Sequence, residues 1–479
     1  MPFEESFEFS VTDLGTEGQG IGRWNGLVVF VSGALPGDRV LARVRRRRGA
    51  GSDRSARPSF LEAELVAVVK PSPDRVVAPC PQASACGGCD LLSLAYSAQL
   101  TWKTGLVRET LRRVGGLGDV RVRPCLGAGQ PLGYRNKAQF PVSSRPGRSR
   151  DGRGLVAGLY RRGTHDVVPV ENCALQHPLN NRILSEIVRL ASELRVTAYD
   201  ENTGEGLLRH ILVRVSNDGR EAMAVLVTAR PTFPMGRRLA AGLCQAVREV
   251  KTVVQNVNTR HTSVILGPRD IVLAGPGHIY DHLGGLRLRV SASSFLQVNP
   301  AQAEVLYGLV VGMAAGAQRV ADVYCGVGTI TLFLAKQLNG LEEIVGIEAN
   351  PAAARDAAAN ARANGIGQAT FVCGDASAVL KDMASARTPL DTVVLDPPRK
   401  GCEPGVLEAL SRMTTCGRII YVSCNPATLA RDLGVLASSG YRVVEAQPVD
   451  MFPQTTHVET VALVERVVGR EEGGHHGRH

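Results

Sequence analysis

Residues 319–329 read Arg-Val-Ala-Asp-Val-Tyr-Cys-Gly-Val-Gly-Thr, an apolar run that ends in two glycines. The apolar half predicts a buried strand, and the glycines predict a tight turn that opens a helix. Gly326 and Gly328 have no side chains, so the backbone there can approach a ligand closely, as nucleotide-binding folds require. A lone G-x-G is a weak signal, and the strands that follow must support it.

Strands and helices alternate from residue 291 to 465, which predicts a doubly wound sheet. Four of the predicted strands end in an acidic residue: Asp322, Glu348, Asp375 and Asp396. Glu348 lies about twenty residues beyond the glycine turn, where a carboxylate can bind the two ribose hydroxyls of an adenosine moiety. This order fits a methyltransferase that uses S-adenosyl-L-methionine (SAM) better than a dehydrogenase, whose turn would carry G-x-G-x-x-G.

The loop after the fourth strand indicates what kind of atom is methylated. Asp396-Pro397-Pro398 is similar to the loop with which amino-methyltransferases hold an exocyclic nitrogen, but those loops place an aromatic residue next to stack the base. Arg399 follows here. The departure argues against N-methylation and for a nucleotide held partly by its phosphate.

The strand at 419–422 leads to Cys424, which precedes an Asn-Pro turn and a helix. A lone cysteine is more often a small packing residue, but a thiol at the ligand-binding edge of a sheet can be a nucleophile. One SAM-dependent reaction that needs such a nucleophile is methylation of uracil at carbon-5. That carbon is too weak a nucleophile to attack a sulfonium methyl directly. A thiolate that adds to carbon-6 makes it one, and a base must then remove the carbon-5 proton.

Two side chains near the end of the chain could be that base. Period-two alternation along 449–460 predicts that His457 and Glu459 share one face of a final strand. By residue type alone His457 is the commoner base, and both residues could also be a polar strand end.

The N-terminal part, residues 1–69, is expected to be a small all-β barrel. Short apolar or alternating runs at 7–11, 27–31, 39–44 and 61–69 are separated by glycine-rich turns, of which 15–20 is one. The basic run 45–48 and the residues to 54 predict a mobile hairpin loop that either tracks a phosphate backbone or is merely solvated.

Cys80, Cys86 and Cys89 form a C-x5-C-x2-C pattern, and Cys173 stands far downstream. The Gly-Gly pair between the second and third cysteines permits the close turn that a bound cluster needs. The spacing is not that of radical enzymes, and a structural zinc site would more usually show two C-x2-C pairs. A four-thiolate metal site is favoured over unligated thiols.

The central part, residues 70–290, predicts mixed α+β structure, with a helix at 97–114 and strands at 211–215 and 222–228. The stretch 134–140, Tyr-Arg-Asn-Lys-Ala-Gln-Phe, suits gripping and stacking of single-stranded RNA, but it could equally be the wet face of a strand. The loop 143–154 carries four arginines and is expected to be exposed.

Composition and charge limit the partners. The chain has 479 residues, 55 Lys plus Arg against 45 Asp plus Glu, and a net charge of +10, so a polyanion is a plausible partner. No signal-peptide pattern and no apolar stretch of spanning length occurs, so we expect a cytoplasmic protein without a membrane partner. We also expect a monomer. Residues 466–479 show no periodicity and are expected to be a disordered tail. Six further cysteines are expected to be packing residues: Cys125, Cys244, Cys325, Cys373, Cys402 and Cys416.

Taken together, these motifs resemble the RNA uracil-C5 methyltransferase family. The stretches that carry the resemblance are 86–100, 294–300, 396–401, 423–426 and 457–459, and the segment containing 20–23 and 29–38 resembles a TRAM domain, a small RNA-binding barrel. The resemblance implies Cys424 as nucleophile and Glu459, rather than His457, as base. It places the SAM contacts at Gln297, Tyr324, Gly326, Gly328, Thr329, Glu348, Asp375 and Asp396. Thr329 stands where an Asn is common in the family.

The same resemblance implies a multidomain α/β chain, with a TRAM barrel at 1–69, a central domain at 70–290 and a Rossmann-like SAM-dependent domain at 291–465. It further implies that Cys80, Cys86, Cys89 and Cys173 hold a [4Fe–4S] cluster, and that helix 97–114 packs on the catalytic domain. The expected substrate is 23S ribosomal RNA. A tRNA uridine methyltransferase and a non-catalytic ribosome-assembly factor are the alternatives.

Overall fold

The computed structural model describes residues 6–49, 58–144 and 154–467. The chain forms two compact units. The first comprises Met1–Lys103, Gly127–Ala303 and Asp450–His457, and the second comprises Thr104–Leu126, Glu304–Val449 and Val458–His479. The first unit includes both the expected barrel and the expected central region, so the division into three domains remains a prediction. No helix in the described ranges is long and apolar enough to cross a membrane.

Five strands close into a barrel in the first unit: β1 (Ser6–Leu14), β2 (Gln19–Trp24), β3 (Leu27–Ser32), β4 (Arg39–Gly49) and β5 (Pro58–Lys70). Their order is β1-β2-β3-β5-β4, and β4 pairs back with β1. Alternate residues of β1, among them Phe7, Phe9 and Val11, fill the barrel core because successive strand side chains face opposite sides. The predicted barrel is confirmed, although β2 begins inside the stretch predicted as a turn.

Strand β4 extends further than the sequence predicted. Arg45, expected to start a hairpin loop, lies in β4, which pairs with β5 as far as Gly49 opposite Pro58. The ladder hydrogen bonds hold this basic run as a strand, so the predicted loop is shorter, and its residues 50–57 lie outside the described ranges. Arg39, Arg43 and Arg45 are exposed along β4.

The chain continues with α1 (Tyr96–Gly115), β6 (Arg121–Val122), β7 (Lys137–Ser144), β8 (Leu155–Tyr160), β9 (Val167–Pro169), α2 (Pro178–Glu193), β10 (Leu208–Val215), β11 (Ala222–Thr228), α3 (Gly236–Ala246), β12 (Val250–Val257), β13 (Arg269–Ala274), β14 (His278–Leu283) and β15 (Leu286–Ser291). A seven-stranded sheet of order β13-β12-β11-β10-β7-β8-β9 packs against α2 and α3, and β14 and β15 form a separate hairpin. The predicted helix and the two predicted strands are present as α1, β10 and β11. Residues 145–153 of the expected arginine-rich loop lie outside the described ranges.

The remaining elements are α4 (Pro300–Met313), β16 (Arg319–Val323), α5 (Thr329–Gln337), β17 (Glu343–Glu348), α6 (Pro351–Ala363), β18 (Ala369–Cys373), α7 (Ala376–Ser385), β19 (Thr392–Leu395), α8 (Pro404–Arg412), β20 (Arg418–Ser423), α9 (Pro426–Ser438), β21 (Tyr441–Val449) and β22 (Glu459–Arg466). They build an eight-stranded sheet of order β18-β17-β16-β19-β20-β22-β21-β6 in the second unit.

Strands β16 to β20 run parallel, and β22 is inserted antiparallel between β20 and β21. This is the predicted doubly wound fold, and its strand order reverses between β16 and β19. Ligands bind at the carboxyl ends of parallel strands beside such a switch point. The tail predicted as disordered begins at Arg466, still within β22, and residues 468–479 lie outside the described ranges.

Candidate active site

The register between β20 and β22 brings the predicted nucleophile and base together. Ser423, the last residue of β20, pairs with Thr460, the second residue of β22. Cys424 directly follows Ser423 and Glu459 directly precedes Thr460, so both residues adjoin the last pair of this ladder. Cys424 is half-buried, Glu459 is buried, and the two side chains lie within electrostatic range of each other at the edge where the parallel strands end.

The electrostatics of this pair follow from burial. Burial and, to a smaller extent, the nearby Asp396 carboxyl raise the pKa of Glu459 to about 8 against the opposing effect of Arg399. Burial likewise raises the pKa of Cys424 to about 11, with Glu459 adding to the effect and Arg399 reducing it. At neutral pH both groups therefore hold their protons before substrate binds. The arrangement links one thiol, two carboxyls and one guanidinium within electrostatic range of each other.

The expectation that His457 and Glu459 share a strand face is wrong. Strand β22 begins only at Glu459, and the residues before it are irregular. His457 is exposed and belongs to the first unit, where its ring lies edge-on to Phe452 with centroids 5.9 Å apart. The period-two interpretation failed because it counted His457 as part of the strand, which begins two residues later.

The loop after Asp396 is fixed to the helix that follows Cys424. Asn425 caps α9 by accepting a hydrogen bond from the Ala427 amide, and its Nδ2 donates to the Arg399 carbonyl at 3.1 Å. The buried Asp432 carboxylate accepts from the Cys402 amide at 2.8 Å. These bonds place the basic loop directly beside the nucleophile.

The glycine turn after β16 has the geometry of a nucleotide-binding loop. Gly326 and Gly328 adopt φ values of 58° and 82°, and a Cβ on Gly328 would lie 3.0 Å from the side chains of Ala357 and Phe371. Glu348, at the end of β17, accepts a hydrogen bond from the Gly326 amide at 3.0 Å. Tyr324 also has positive φ, 69°, and burial raises the pKa of its phenol. Three of the predicted SAM contacts, Tyr324, Gly326 and Gly328, therefore lie in or beside this turn, and a fourth, Glu348, is hydrogen-bonded to it.

The other predicted SAM residues are placed differently. Thr329 is buried at the first position of α5. Asp375 is exposed and caps α7 by accepting from the Ala378 amide at 3.0 Å, so its carboxylate has a structural partner already. Asp396 is partly exposed at the end of β19, and burial raises its pKa to about 7. Gln297 lies in the loop before α4, in the first unit.

Tyr307 of α4 was not found by sequence reasoning. Its ring is 4% exposed, and burial together with the carboxyls of Asp396 and Glu459 raises the pKa of its phenol. It therefore lies within electrostatic range of the predicted base. Only the aromatic residue at a helical core spacing was visible in the sequence, and that pattern is typical of packing.

A separate cavity in the first unit brings the four predicted cluster cysteines together. About 460 Å³ in volume, it is lined by Cys80, Cys86, Cys89 and Cys173. The pKa of Cys89 is raised to about 12 by burial, with Cys173, Cys86 and Cys80 adding to the effect, so all four thiols lie within electrostatic range. The Gly88 amide donates to the Cys86 sulfur at 3.3 Å.

These residues suit a four-thiolate group. Thiolates are soft ligands that hold zinc or iron–sulfur clusters, and amide hydrogen bonds to sulfur are typical of cluster sites. Gly87 is favoured there, since a Cβ would lie 3.0 Å from the Tyr160 carbonyl, a tight contact. Within the ranges that the structure describes, no three His, Cys, Asp or Glu side chains are arranged to hold a single metal ion. The identity of the group stays a prediction.

Two other expectations are only partly met. In the stretch proposed for RNA stacking, Tyr134 and Phe140 are buried, and the Tyr134 hydroxyl donates to the Pro453 carbonyl at 3.0 Å. Neither ring offers an exposed stacking face, whereas Gln139 is exposed.

Among the cysteines expected to pack, Cys373 is exposed at the end of β18, so its assignment as a packing residue is wrong.

Comparison with known proteins identifies the family to which the chain is similar. A model described as tRNA (Uracil-5-)-methyltransferase matches residues 285–467, and a TRAM domain model matches residues 5–49. An uncharacterized RNA methyltransferase of Halalkalibacterium halodurans is 41% identical over 461 residues, 96% of each chain. One from Caldanaerobacter subterraneus subsp. tengcongensis is 40% identical, covering 97% of this chain and 98% of the relative.

A solved structure is similar along almost the whole chain. It is the tRNA (uracil-54, C5)-methyltransferase of Pyrococcus abyssi in complex with S-adenosyl-L-homocysteine, with a TM-score of 0.72 and 26% identity. The similarity covers 96% of this chain and all of that one. With relatives at 40% identity and both domain models matched, the chain belongs to the family of TRAM-containing RNA (uracil-C5) methyltransferases, which are SAM-dependent enzymes.

Proposed function

We propose that this enzyme methylates carbon-5 of a uridine in 23S ribosomal RNA through a covalent intermediate on Cys424, with Glu459 as the base. The observation that carries the proposal is the β20–β22 register, whose last pair, Ser423 with Thr460, adjoins both the Cys424 thiol and the buried Glu459 carboxyl, which lie within electrostatic range of each other. A nucleophile and a base so placed can act on opposite ends of one carbon–carbon double bond.

The chemistry divides into two halves. In the first, the Cys424 thiol gives its proton to a neighbouring carboxylate, and the sulfur bonds to carbon-6 of uracil. Asp396 suits this role because its carboxyl lies within electrostatic range of the Cys424 thiol. Bound SAM supplies the electrophilic methyl group for carbon-5. In the second half, Glu459 takes the carbon-5 proton, the carbon–sulfur bond breaks and the double bond re-forms.

Binding of the methyl donor is assigned to the glycine turn and its surroundings. Glu348 would hold the ribose hydroxyls, because its carboxylate already stands against the turn through Gly326. Tyr324, Gly326, Gly328, Thr329, Asp375, Asp396 and Gln297 complete the set taken from the family resemblance. Arg399 suits a nucleotide phosphate, as its exposed guanidinium lies near both reacting side chains.

The choice of RNA rests on the other parts of the chain. Exposed arginines along β4 of the barrel suit a phosphate backbone, and the barrel with the cysteine loop resembles the ribosomal RNA enzymes. The similarity to the Pyrococcus tRNA enzyme keeps tRNA uridine as the alternative. Membership of an enzyme family argues against a purely non-catalytic assembly factor. A cytoplasmic monomer remains a prediction.

Methyl transfer to defined RNAs tests the substrate. With labelled SAM, unmodified 23S ribosomal RNA is expected to gain label as 5-methyluridine, and a tRNA transcript is expected to gain none. Nuclease digestion and chromatography of the nucleosides identify the product. Label on tRNA alone would show that tRNA, the alternative substrate, is the one methylated. Absence of label on every RNA would leave only a binding function.

We further propose that Cys80, Cys86, Cys89 and Cys173 hold a [4Fe–4S] cluster with a structural role, because the methyl transfer needs no electrons. Protein purified without oxygen is expected to contain about four irons, and Cys86→Ser is expected to lose them. Cys373→Ser is the matched control, since Cys373 is a cysteine outside the cavity. Equal iron in both variants would contradict the assignment, and a redox-dependent single-turnover rate would contradict the structural role.

A further inference from the structure

The segment Asp450–His457 joins β21 to β22 and is held in place without any helix or strand of its own. Six of its eight residues are buried, and the segment belongs to the first unit. Val458 joins it directly to Glu459. The segment and Val458 therefore connect two residues that pair with each other, Val449 at the end of β21 and Glu459 at the start of β22.

The start of the segment is anchored by a buried ion pair. Asp450 and Lys103 of α1 both have fully buried side chains, and their charged atoms are 2.5 Å apart. The Tyr96 hydroxyl donates to the second carboxylate oxygen at 2.9 Å, and Lys103 also donates to the Phe452 carbonyl at 3.2 Å. A buried pair with such satisfied oxygens fixes one geometry, because any displacement leaves a charge without a partner.

The middle of the segment is anchored by a pair of glutamines. The Gln454 backbone has φ of 69°, a conformation that residues with a Cβ rarely adopt, so the surroundings must hold it there. Gln99 of α1, fully buried, accepts from the Gln454 amide at 3.1 Å and donates to the Gln454 side-chain oxygen at 2.9 Å. These two bonds fix both the backbone and the side chain of one residue.

Gln454 also connects to the cysteine loop. Its carbonyl accepts hydrogen bonds from the amides of Asp90 and Leu91, each at 3.0 Å. Asp90 follows Cys89 directly, and Phe452 lines the cavity that the four cysteines share. The residues that support the segment are therefore continuous with the loop that would hold the cluster.

We propose that Gln99 and Gln454 are positioning residues for the removal of the carbon-5 proton. They act through the segment on Glu459, the residue with which β22 begins and which pairs with Val449 across the segment, whereas Cys424 directly follows β20 and is not joined to the segment in sequence. The inference rests on the proposed covalent mechanism. It predicts that weakening the glutamine pair slows release of the methylated RNA from the enzyme and leaves formation of the covalent bond unchanged.

The test compares the two halves of the reaction in Gln99→Leu. With RNA carrying 5-fluorouridine at the target, the rate of covalent capture is expected to stay within about twofold of the unchanged enzyme. With uridine RNA, release is expected to slow by about 10- to 100-fold, since misplacing a reacting group by about 1 Å has effects of this size. The methylated covalent complex should therefore accumulate on denaturing gels.

The matched control is Gln255→Leu, because Gln255 is also buried and donates its amide to the carbonyls of Arg230 and Pro231. It is expected to lower thermal stability without accumulating the complex. If Gln99→Leu does not fold, Gln454→Gly removes the same side-chain contact at a backbone conformation that glycine adopts readily. The inference is overturned if Gln99→Leu slows covalent capture and release equally, or if it slows neither step. Absence of capture by the unchanged enzyme overturns the proposed function instead.

Discussion

Replacing Cys424 with alanine is expected to abolish both turnover and covalent capture of RNA. Removing a catalytic nucleophile lowers turnover by factors on the order of 10⁴ to 10⁶. With SAM and RNA carrying 5-fluorouridine, the unchanged enzyme should form a complex that survives denaturation, because fluorine cannot leave as a proton does. The alanine variant should form none, while its affinity for RNA, measured by filter binding, should change little.

Cys416 provides the control for this experiment. Burial raises its pKa to about 11, as it does for Cys424, but Cys416 lies before β20, and its thiol donates to the Arg418 carbonyl. Cys416→Ala should therefore keep covalent capture. Because burial raises the pKa of both thiols in the same direction, a difference between the variants reports placement at the sheet edge rather than thiol acidity. Capture undiminished in Cys424→Ala would rule out the proposed nucleophile.

Glu459→Gln is expected to lower turnover by about 10²- to 10⁴-fold, the usual contribution of a positioned base. The amide cannot take the carbon-5 proton, so the methylated RNA should stay bonded to Cys424 and accumulate on uridine RNA as well. Mass spectrometry of the trapped peptide would identify both the bond and the methyl group. Glu465→Gln is the control, since Glu465 lies on the same strand, partly exposed.

The pH dependence of release separates this base from other roles. The pKa of Glu459 is raised from 4.5 to about 8, and only the carboxylate form can accept the proton. The rate of release should therefore rise about tenfold per pH unit below pH 8 and level off above it. Glu459→Gln should lose this rise. A rate independent of pH between 6 and 8 in the unchanged enzyme would mean that another group removes the proton.

Local pattern was enough to predict the catalytic fold. Strand β17 is a short run that ends at Glu348, β19 is followed by Asp396, and the glycine turn comes soon after β16, so the sequence alone places Gly326, Glu348 and Asp396 at one sheet edge. Cys424 was likewise placed correctly at a strand end. These are properties of neighbouring residues in the sequence, and the parallel sheet then brings the strand ends together.

Features that depend on distant pairing could not be predicted in the same way. Nothing in the sequence near Glu459 indicates that β22 pairs with β20, and the irregular segment before it was interpreted as strand. Tyr307 and Tyr134 were missed or misjudged for a related reason. Whether an aromatic ring is buried or exposed depends on which other element covers it, and periodicity within one element does not contain that information.

The position of β22 in the sheet also affects the order in which the sheet can form during synthesis. Strand β22 follows β21 in the chain but lies between β20 and β21 in the sheet. During synthesis the strands emerge in sequence order, so the edge of β20 stays unpaired until residues as late as Arg466 have left the ribosome. Glu459 and Cys424 first meet at that moment. A nascent chain that already contains Cys424 should therefore be unable to complete the proposed methylation cycle until this late strand is in place.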